Sequence, residues 1–234
     1  MTTLETSPWR QAAAGALTIA PAAVAVVPFG LILGANAAEK GLSAFETATM
    51  SATVFAGSAQ FLAIDLWTSP AAWAALAFAT LLINLRHVLM GASLARRLGR
   101  FGPGTRWLAV FLMADEIWAV AEHRALQQPL TPAFYLGAAL PLYANWVVTT
   151  TAGAMLGGLI EDPAAWGFDF AFTAVFIGLV AGFWRGRTTL VVACASAAGA
   201  ILAHKFLPGA WYVVIGAGCG VTVAALLPQR APGP

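Results

Sequence analysis

The sequence predicts an all-α fold, a polytopic membrane helix bundle, and three observations predict it. Hydrophobic residues make up 60% of the 234 residues and charged residues only 9%, against roughly 25% charged in soluble domains. The mean hydropathy is +0.79. Apolar runs of the length that crosses a hydrocarbon core, about 20 residues, follow one another with only short polar turns between them. No linker divides the chain, so one transmembrane domain is expected over residues 1–234. A net charge of +2 without a basic tract gives no footing for nucleic acid, and the lipid bilayer is the expected surrounding.

Eight runs can be read in order: Ala12 to Ala38, Ala44 to Trp67, Ala71 to Leu94, Trp107 to Val120, Pro132 to Ile160, Phe168 to Trp184, Thr188 to Ala203 and Ala210 to Leu227. Trp9, Trp67, Trp107, Trp166, Trp184 and Trp211 stand at run edges, as an interfacial aromatic belt requires. Cys194 and Cys219 lie in apolar stretches and read as small hydrophobes. The segment Met1 to Gln11 is short and mildly polar, and the run after it is too long and Pro-broken for a signal-peptide core, so no cleavage is expected.

Positive charges constrain the topology. If all eight runs cross, Arg96, Arg97, Arg100 and Arg106 fall opposite Arg185 and Arg187, and no bias remains. The fourth run is short and carries Asp115 and Glu116 near its middle. If it dips in and returns, only Arg10 and Lys205 lie outside, giving about seven spans with the N-terminus out. If the second run also returns, six spans result, the N-terminus is in, and only Arg10 and Lys40 exchange sides. An internal echo favours seven. Gly30 to Gly34 followed by Thr53-Val-Phe55 resembles Gly153 to Gly157 followed by Thr173-Ala-Val-Phe176, which in a seven-span chain would be an inverted repeat with broken helices. The alternative is that GxxxG is a packing motif, as again at Gly216 and Gly220.

Two motifs carry the chemistry. Gly57-Ser58-Ala59-Gln60 weakens a helix and offers hydrogen-bonding groups, so the backbone there is expected either to unwind toward a ligand or to form a small-residue packing face. Asn84, Arg86 and His87 stand halfway along the third run. A central Arg costs about 2.5 to 3.5 kcal/mol on insertion scales, so it needs an anion. That anion is either a substrate carboxylate or a side chain, with Asp65, Asp115 and Glu116 as candidates. Of Asp115 and Glu116, one can neutralise Arg86 while the other holds an ammonium or carries a coupling ion; the alternative is a solvated pair. His87 is a candidate proton relay. His123 and His204 sit at run ends and read as interfacial, and Asp169 reads as a carboxylate near a helix N-terminus.

Phe55-Ala-Gly-Ser-Ala-Gln-Phe61, Asn84-Leu-Arg-His87 running into Met90-Gly-Ala-Ser-Leu-Ala95, Ala114-Asp-Glu116, Trp146 and Gly167-Phe-Asp-Phe170 together resemble the AzlC family of branched-chain amino acid permeases. The resemblance covers most of the chain, from about Pro28 to Phe176. It implies an integral membrane subunit of the bacterial cytoplasmic (inner) membrane. Such a subunit exports valine, leucine and isoleucine, sometimes methionine, and works with a small AzlD-type membrane subunit. Ala114-Asp-Glu-Ile-Trp118 departs from the threonines that flank this acidic pair in the family, a difference that bears on side-chain selectivity.

Physical and family readings converge on one site. Arg86 or the Gly57-Ser58 backbone would hold a substrate carboxylate, with Gln60, Asn84 and His87 beside them; Asp115 or Glu116 would hold the ammonium; Phe55, Phe61 and Met90 would line the apolar pocket. No phosphate-binding loop is present, so uphill transport would draw on an ion gradient or a partner. No catalytic constellation, cofactor motif or metal-ligand spacing is read, and the expectation is a non-enzyme. A haem subunit would need central histidines facing each other, and only His87 is central. A passive channel would show a uniform polar stripe. A scaffold whose partner carries transport stays open.

Overall fold

The computed structural model describes residues 7–68, 70–71, 73–157, 177, 184, 186–207 and 211–227, without side-chain detail at 75 and 213. The sixth run, Trp166, Asp169 and the Thr173 to Phe176 half of the internal echo lie outside the described residues. Among the described residues the fold is all-helical: α1 (Pro8–Glu39), α2 (Ala44–Thr53), α3 (Gly57–Asp65), α4 (Trp73–Leu98), α5 (Pro103–Phe111), α6 (Asp115–Gln127), α7 (Pro132–Gly157), α8 (Arg187–Phe206) and α9 (Trp211–Leu226).

Two compact units divide the chain. The first holds α1, α2, α3, α4 from Asn84 onward, α5, α6 and α7. The second holds α4 up to Ile83, with α8 and α9. In the second unit α8 and α9 are antiparallel and meet through small residues: a Cβ on Gly199 would lie 2.6 Å from the Cys219 sulfur, and one on Gly216 would lie 2.9 Å from the Ala200 Cβ. Phe78 packs on Trp211 in this unit, ring centroids 5.1 Å apart.

Among the described residues, three helices combine length and hydropathy sufficient to cross a membrane: Pro8–Glu39, Leu76–Leu98 and Arg187–Phe206, while Val214–Leu226 is shorter and apolar. α7 has 26 residues, about 39 Å of helix. Its polar side chains are turned inward: Asn145 donates to the Ala23 carbonyl of α1, Tyr143 to the Ala52 carbonyl, Trp146 to Gln60 and Thr150 to Ser51. Trp9 and Trp211 stand exposed at helix starts, where an aromatic belt would put them, and Trp107 is exposed in the middle of α5.

The first unit is organised by α1 against α7. A Cβ on Gly30 would lie 2.0 Å from the Thr149 hydroxyl, one on Gly34 2.0 Å from the Thr150 carbonyl oxygen, and one on Gly153 2.1 Å from the Leu31 carbonyl oxygen. At the other end, a Cβ on Gly137 would lie 2.2 Å from the Ala12 carbonyl oxygen. Backbones touch where side chains are missing, the small-residue packing that lipid favours.

These contacts also fix direction. Ala12 meets Gly137 and Ala35 meets Gly157, so α1 and α7 run parallel. Seven spans, with the second and third runs crossing between them, would make α1 and α7 antiparallel, so the seven-span count is corrected. The inverted relation of the Gly30-to-Gly34 and Gly153-to-Gly157 segments is corrected with it: they are two faces of one seam. Parallel direction leaves an odd number of crossings between them, as in the six-span and eight-span arrangements.

The second and fourth runs are each two helices with a break. Gln60 donates to the Ser51 hydroxyl at 3.0 Å. Nine residues of unbroken helix would separate them by about 13 Å along the axis, so the chain folds back at 54–56. The break precedes the Gly57-Ser58-Ala59-Gln60 segment, for which unwinding was one of two readings, and those residues form the first turn of α3. In the fourth run, Arg106 near the start of α5 donates to the Leu98, Gly99 and Phe101 carbonyls. Glu122 near the end of α6 pairs with Arg97 of the same α4 terminus. Both outer ends of α5–α6 thus lie at the end of α4, with the break at 112–114 between them.

Candidate functional site

The inner ends of these two broken pairs lie near one another. Phe55, in the first break, meets the Tyr143 ring edge-on at 5.2 Å, and Phe111, just before the second, meets the same ring at 6.0 Å. α3 and α6 both begin there, and neither N-terminus has a side-chain cap. By contrast α2, which starts away from the break, has a full capping box between Ser43 and Glu46. Three amides at each uncapped start precede the first intrahelical bonds, Gln60 to Ala56 and Trp118 to Ala114. Their partial positive charge makes both starts favourable places for anions.

Arg86 crosses between them. One terminal nitrogen donates to the Ser58 hydroxyl in the first turn of α3. The other pairs with Asp115, in the first turn of α6, at 2.6 Å. Of the sequence-level candidates for its counter-ion, the structure selects Asp115 over Asp65 and Glu116. The two side chains are 32% and 30% exposed, so the pair is partly enclosed and partly accessible. The Nε of Arg86 is buried without a hydrogen-bond partner among the described residues, as is the Oδ1 of Asn84. Buried polar atoms are nearly always satisfied, and Glu122 Oε1, beside the Arg97–Glu122 pair, is likewise buried and unpartnered among the described residues.

The remaining site residues divide by helix face. Met90 lies one turn beyond Arg86 and is buried, and Phe61 is buried one turn beyond Ser58. His87 and Gly91 share a neighbouring face toward Met113 in the second break: a Cβ on Gly91 would lie 3.7 Å from the Met113 methyl, and the Met113 backbone lies near the His87 ring. The His87 Nδ1 is buried without a partner of hydrogen-bonding geometry. Glu116 follows Asp115 in the first turn of α6.

Gln60 is occupied within the protein. Its side-chain amide donates to Ser51, its carbonyl accepts from the Trp146 indole at 2.7 Å, and Ser51 in turn accepts from Thr150 at 2.8 Å. All four side chains are buried. The Trp146 ring also fills the space beside Gly57, where a Cβ would lie 3.0 Å from two ring carbons. This network holds the start of α3 in place. Sequence reasoning did not single out Ser51, Tyr143 or Thr150; the signal was the helical spacing of Tyr143, Trp146 and Thr150 on one face of α7.

Comparison with known proteins places this arrangement. Residues 21–160 match the AzlC protein family. The chain belongs to the AzlC family. The matched region takes in every side chain of the Arg86 crossing and of the Trp146 network. The chain is 28% identical over 219 residues to the inner membrane protein YgaZ of Escherichia coli (strain K12), covering 91% of this chain and 89% of that protein. It is 30% identical over 169 residues to an uncharacterized membrane protein of Archaeoglobus fulgidus, 71% of this chain and 73% of that one. It is 26% identical over 156 residues to the branched-chain amino acid transport protein AzlC of Bacillus subtilis (strain 168), 66% of this chain and 61% of that one. No solved structure matches the chain.

Proposed function

We propose that this AzlC-family membrane protein is a secondary transporter, acting as one domain over the whole chain. It exports branched-chain amino acids, valine, leucine and isoleucine, with methionine as a further substrate, across the bacterial cytoplasmic membrane. A small AzlD-type membrane subunit works with it. The observation that carries the reading is Arg86 held between Ser58 and Asp115 where two uncapped helix starts meet. Broken helices whose ends face a binding site are the common construction of secondary transporters. The name of the Bacillus subtilis relative supplies the substrate class. Arg86 and the Gly57-Ser58 amides take the carboxylate, Asp115 or Glu116 the ammonium, and Phe55, Phe61 and Met90 the aliphatic side chain. Gln60 positions α3, and His87 or the acidic pair couples transport to protons.

The topology consistent with parallel α1 and α7 and with both breaks is six spans, N-terminus inside, with α2–α3 and α5–α6 re-entrant from opposite sides. It leaves Lys40 and Lys205 outside and gathers Arg10, Arg96, Arg97, Arg100, Arg106, Arg124, Arg185, Arg187 and Arg230 inside, as the positive-inside rule asks. Single cysteines at Lys40, Arg100 and Arg187, labelled with a membrane-impermeant maleimide in intact cells, check it. Labelling at Lys40 alone is expected; opposite sidedness of Arg100 and Arg187 restores eight spans.

Transport is tested by radiolabelled valine, leucine, isoleucine and methionine flux with and without the small subunit, in wild type and Arg86→Ala. Inserted mutant protein that no longer transports places Arg86 in the substrate path. Wild-type flux from that mutant makes the Arg86–Asp115 pair a purely structural register between helices, and flux from the partner alone makes this chain a scaffold.

A further inference from the structure

We propose that the Arg86–Asp115 ion pair is opened by the transported molecule itself, which restricts the site to zwitterions and assigns the substrate ammonium to Asp115. The inference rests on the transport reading above and deepens it. In the observed state the two charges neutralise each other at 2.6 Å. A zwitterion can enter without leaving either one alone: its carboxylate replaces Asp115 on Arg86, and its ammonium replaces Arg86 on Asp115. One ion pair becomes two. An anion of the same shape would take Arg86 and leave Asp115 without a cation, and an amine would take Asp115 and leave Arg86 without an anion. Removing one partner of an enclosed pair is strongly unfavourable, because the other charge stays desolvated and uncompensated. Selection therefore acts on both polar ends of the substrate at once, with repulsion as well as attraction.

Three features fit this exchange. Both side chains are about one third exposed on the described unit, so a small molecule can reach the pair without unfolding its surroundings. Ser58 holds the second terminal nitrogen of Arg86. The guanidinium therefore stays anchored through Ser58 while its Asp115 side is exchanged. Asp115 lies in the first turn of the uncapped α6, whose amides favour a carboxylate there after Arg86 has turned to the substrate. Glu116, though adjacent, makes no ion pair with Arg86 among the described residues.

The experiment measures radiolabelled leucine flux through the full chain with its small subunit, in the presence of unlabelled leucine, the matching anion 4-methyl-2-oxopentanoate or the matching amine 3-methylbutylamine. In wild type, leucine is expected to compete and each monopolar analogue to be weaker by about tenfold or more. In Asp115→Asn, leucine flux falls and the oxo acid gains competition, since no carboxylate is left stranded; Glu116→Gln still rejects the oxo acid. Equal competition by the oxo acid or the amine in wild type overturns the exchange. So does continued rejection of the oxo acid by membrane-inserted Asp115→Asn. If that variant does not reach the membrane, the wild-type competition decides by itself. Absence of any leucine flux in wild type overturns the transport reading and this inference together, whereas leucine flux with unselective competition overturns the inference alone.

Discussion

Along the α1–α7 seam, glycines let two backbones touch, and a Cβ at Gly34 or Gly153 would fall within 2.1 Å of a carbonyl oxygen on the facing helix. At the Arg86 crossing, a few residues away on α3, α4 and α6, the helices are held apart by breaks and joined by a charge pair and a hydroxyl. The seam has no room and continuous helix; the crossing has charges about one third exposed, uncapped helix starts and, among the described residues, unsatisfied polar atoms. The difference assigns them different work. Apolar close packing in lipid makes a frame, since it gives shape without chemistry. Polar groups at membrane depth are costly and are kept where a ligand or ion makes use of them. The Ser51–Gln60–Trp146–Thr150 network ties one to the other, because Trp146 and Thr150 belong to the seam helix and Gln60 to α3.

Replacing a seam glycine is expected to have the largest effect. Gly34→Leu or Gly153→Leu forces the backbones apart and costs at least about 3 kcal/mol; the monodisperse fraction on size-exclusion chromatography should vanish for each. If Gly34→Leu stays monodisperse, the seam is not the frame. Next comes the tie between regions. Trp146→Phe removes the donor to Gln60 and leaves a buried carbonyl unpaired, for about 1 to 3 kcal/mol. A thermal melt several degrees lower, with leucine flux reduced further than stability accounts for, is the expected result. Gly57→Ala brings a Cβ to 3.0 Å from the Trp146 ring, so ring or helix must shift by a few tenths of an ångström. The protein should fold, lose about 1 kcal/mol of stability, and transport more slowly. Smallest is Gly91→Ala on α4. Its Cβ would lie 3.7 Å from the Met113 methyl, an ordinary contact, and the melting temperature should move by no more than about 0.5 kcal/mol implies. A large loss there would mean that the second break is packed as tightly as the seam.

Much of the site was legible as residue types. Arg86 in the middle of an apolar run, Asp115-Glu116 in a short one and Gly57-Ser58 in another were each conspicuous because lipid makes such groups expensive. Their partners were not legible. Asp65, Asp115 and Glu116 were equal candidates for Arg86, and only the turn at 112–114, which starts α6 at Asp115, separates them. Gln60 read as a ligand group because a buried amide looks the same in sequence whether it faces a substrate or Ser51 and Trp146. The seven-span count failed on direction: hydropathy reports that a segment is apolar, not which way it runs, and the GxxxG segments read as inverted copies face each other in parallel.

By itself the sequence determined the class of the protein, since too few charges and too many apolar residues leave no soluble solution. It also marked which polar residues stand inside apolar runs. Tertiary structure alone decided that two chain reversals, around residues 55 and 113, deliver Ser58 and Asp115 to opposite sides of Arg86. Those positions are 57 residues apart in the chain. Local preferences can weaken a helix at each place, but bringing the two ends together depends on the α1–α7 frame, whose packing is set by contacts more than a hundred residues apart.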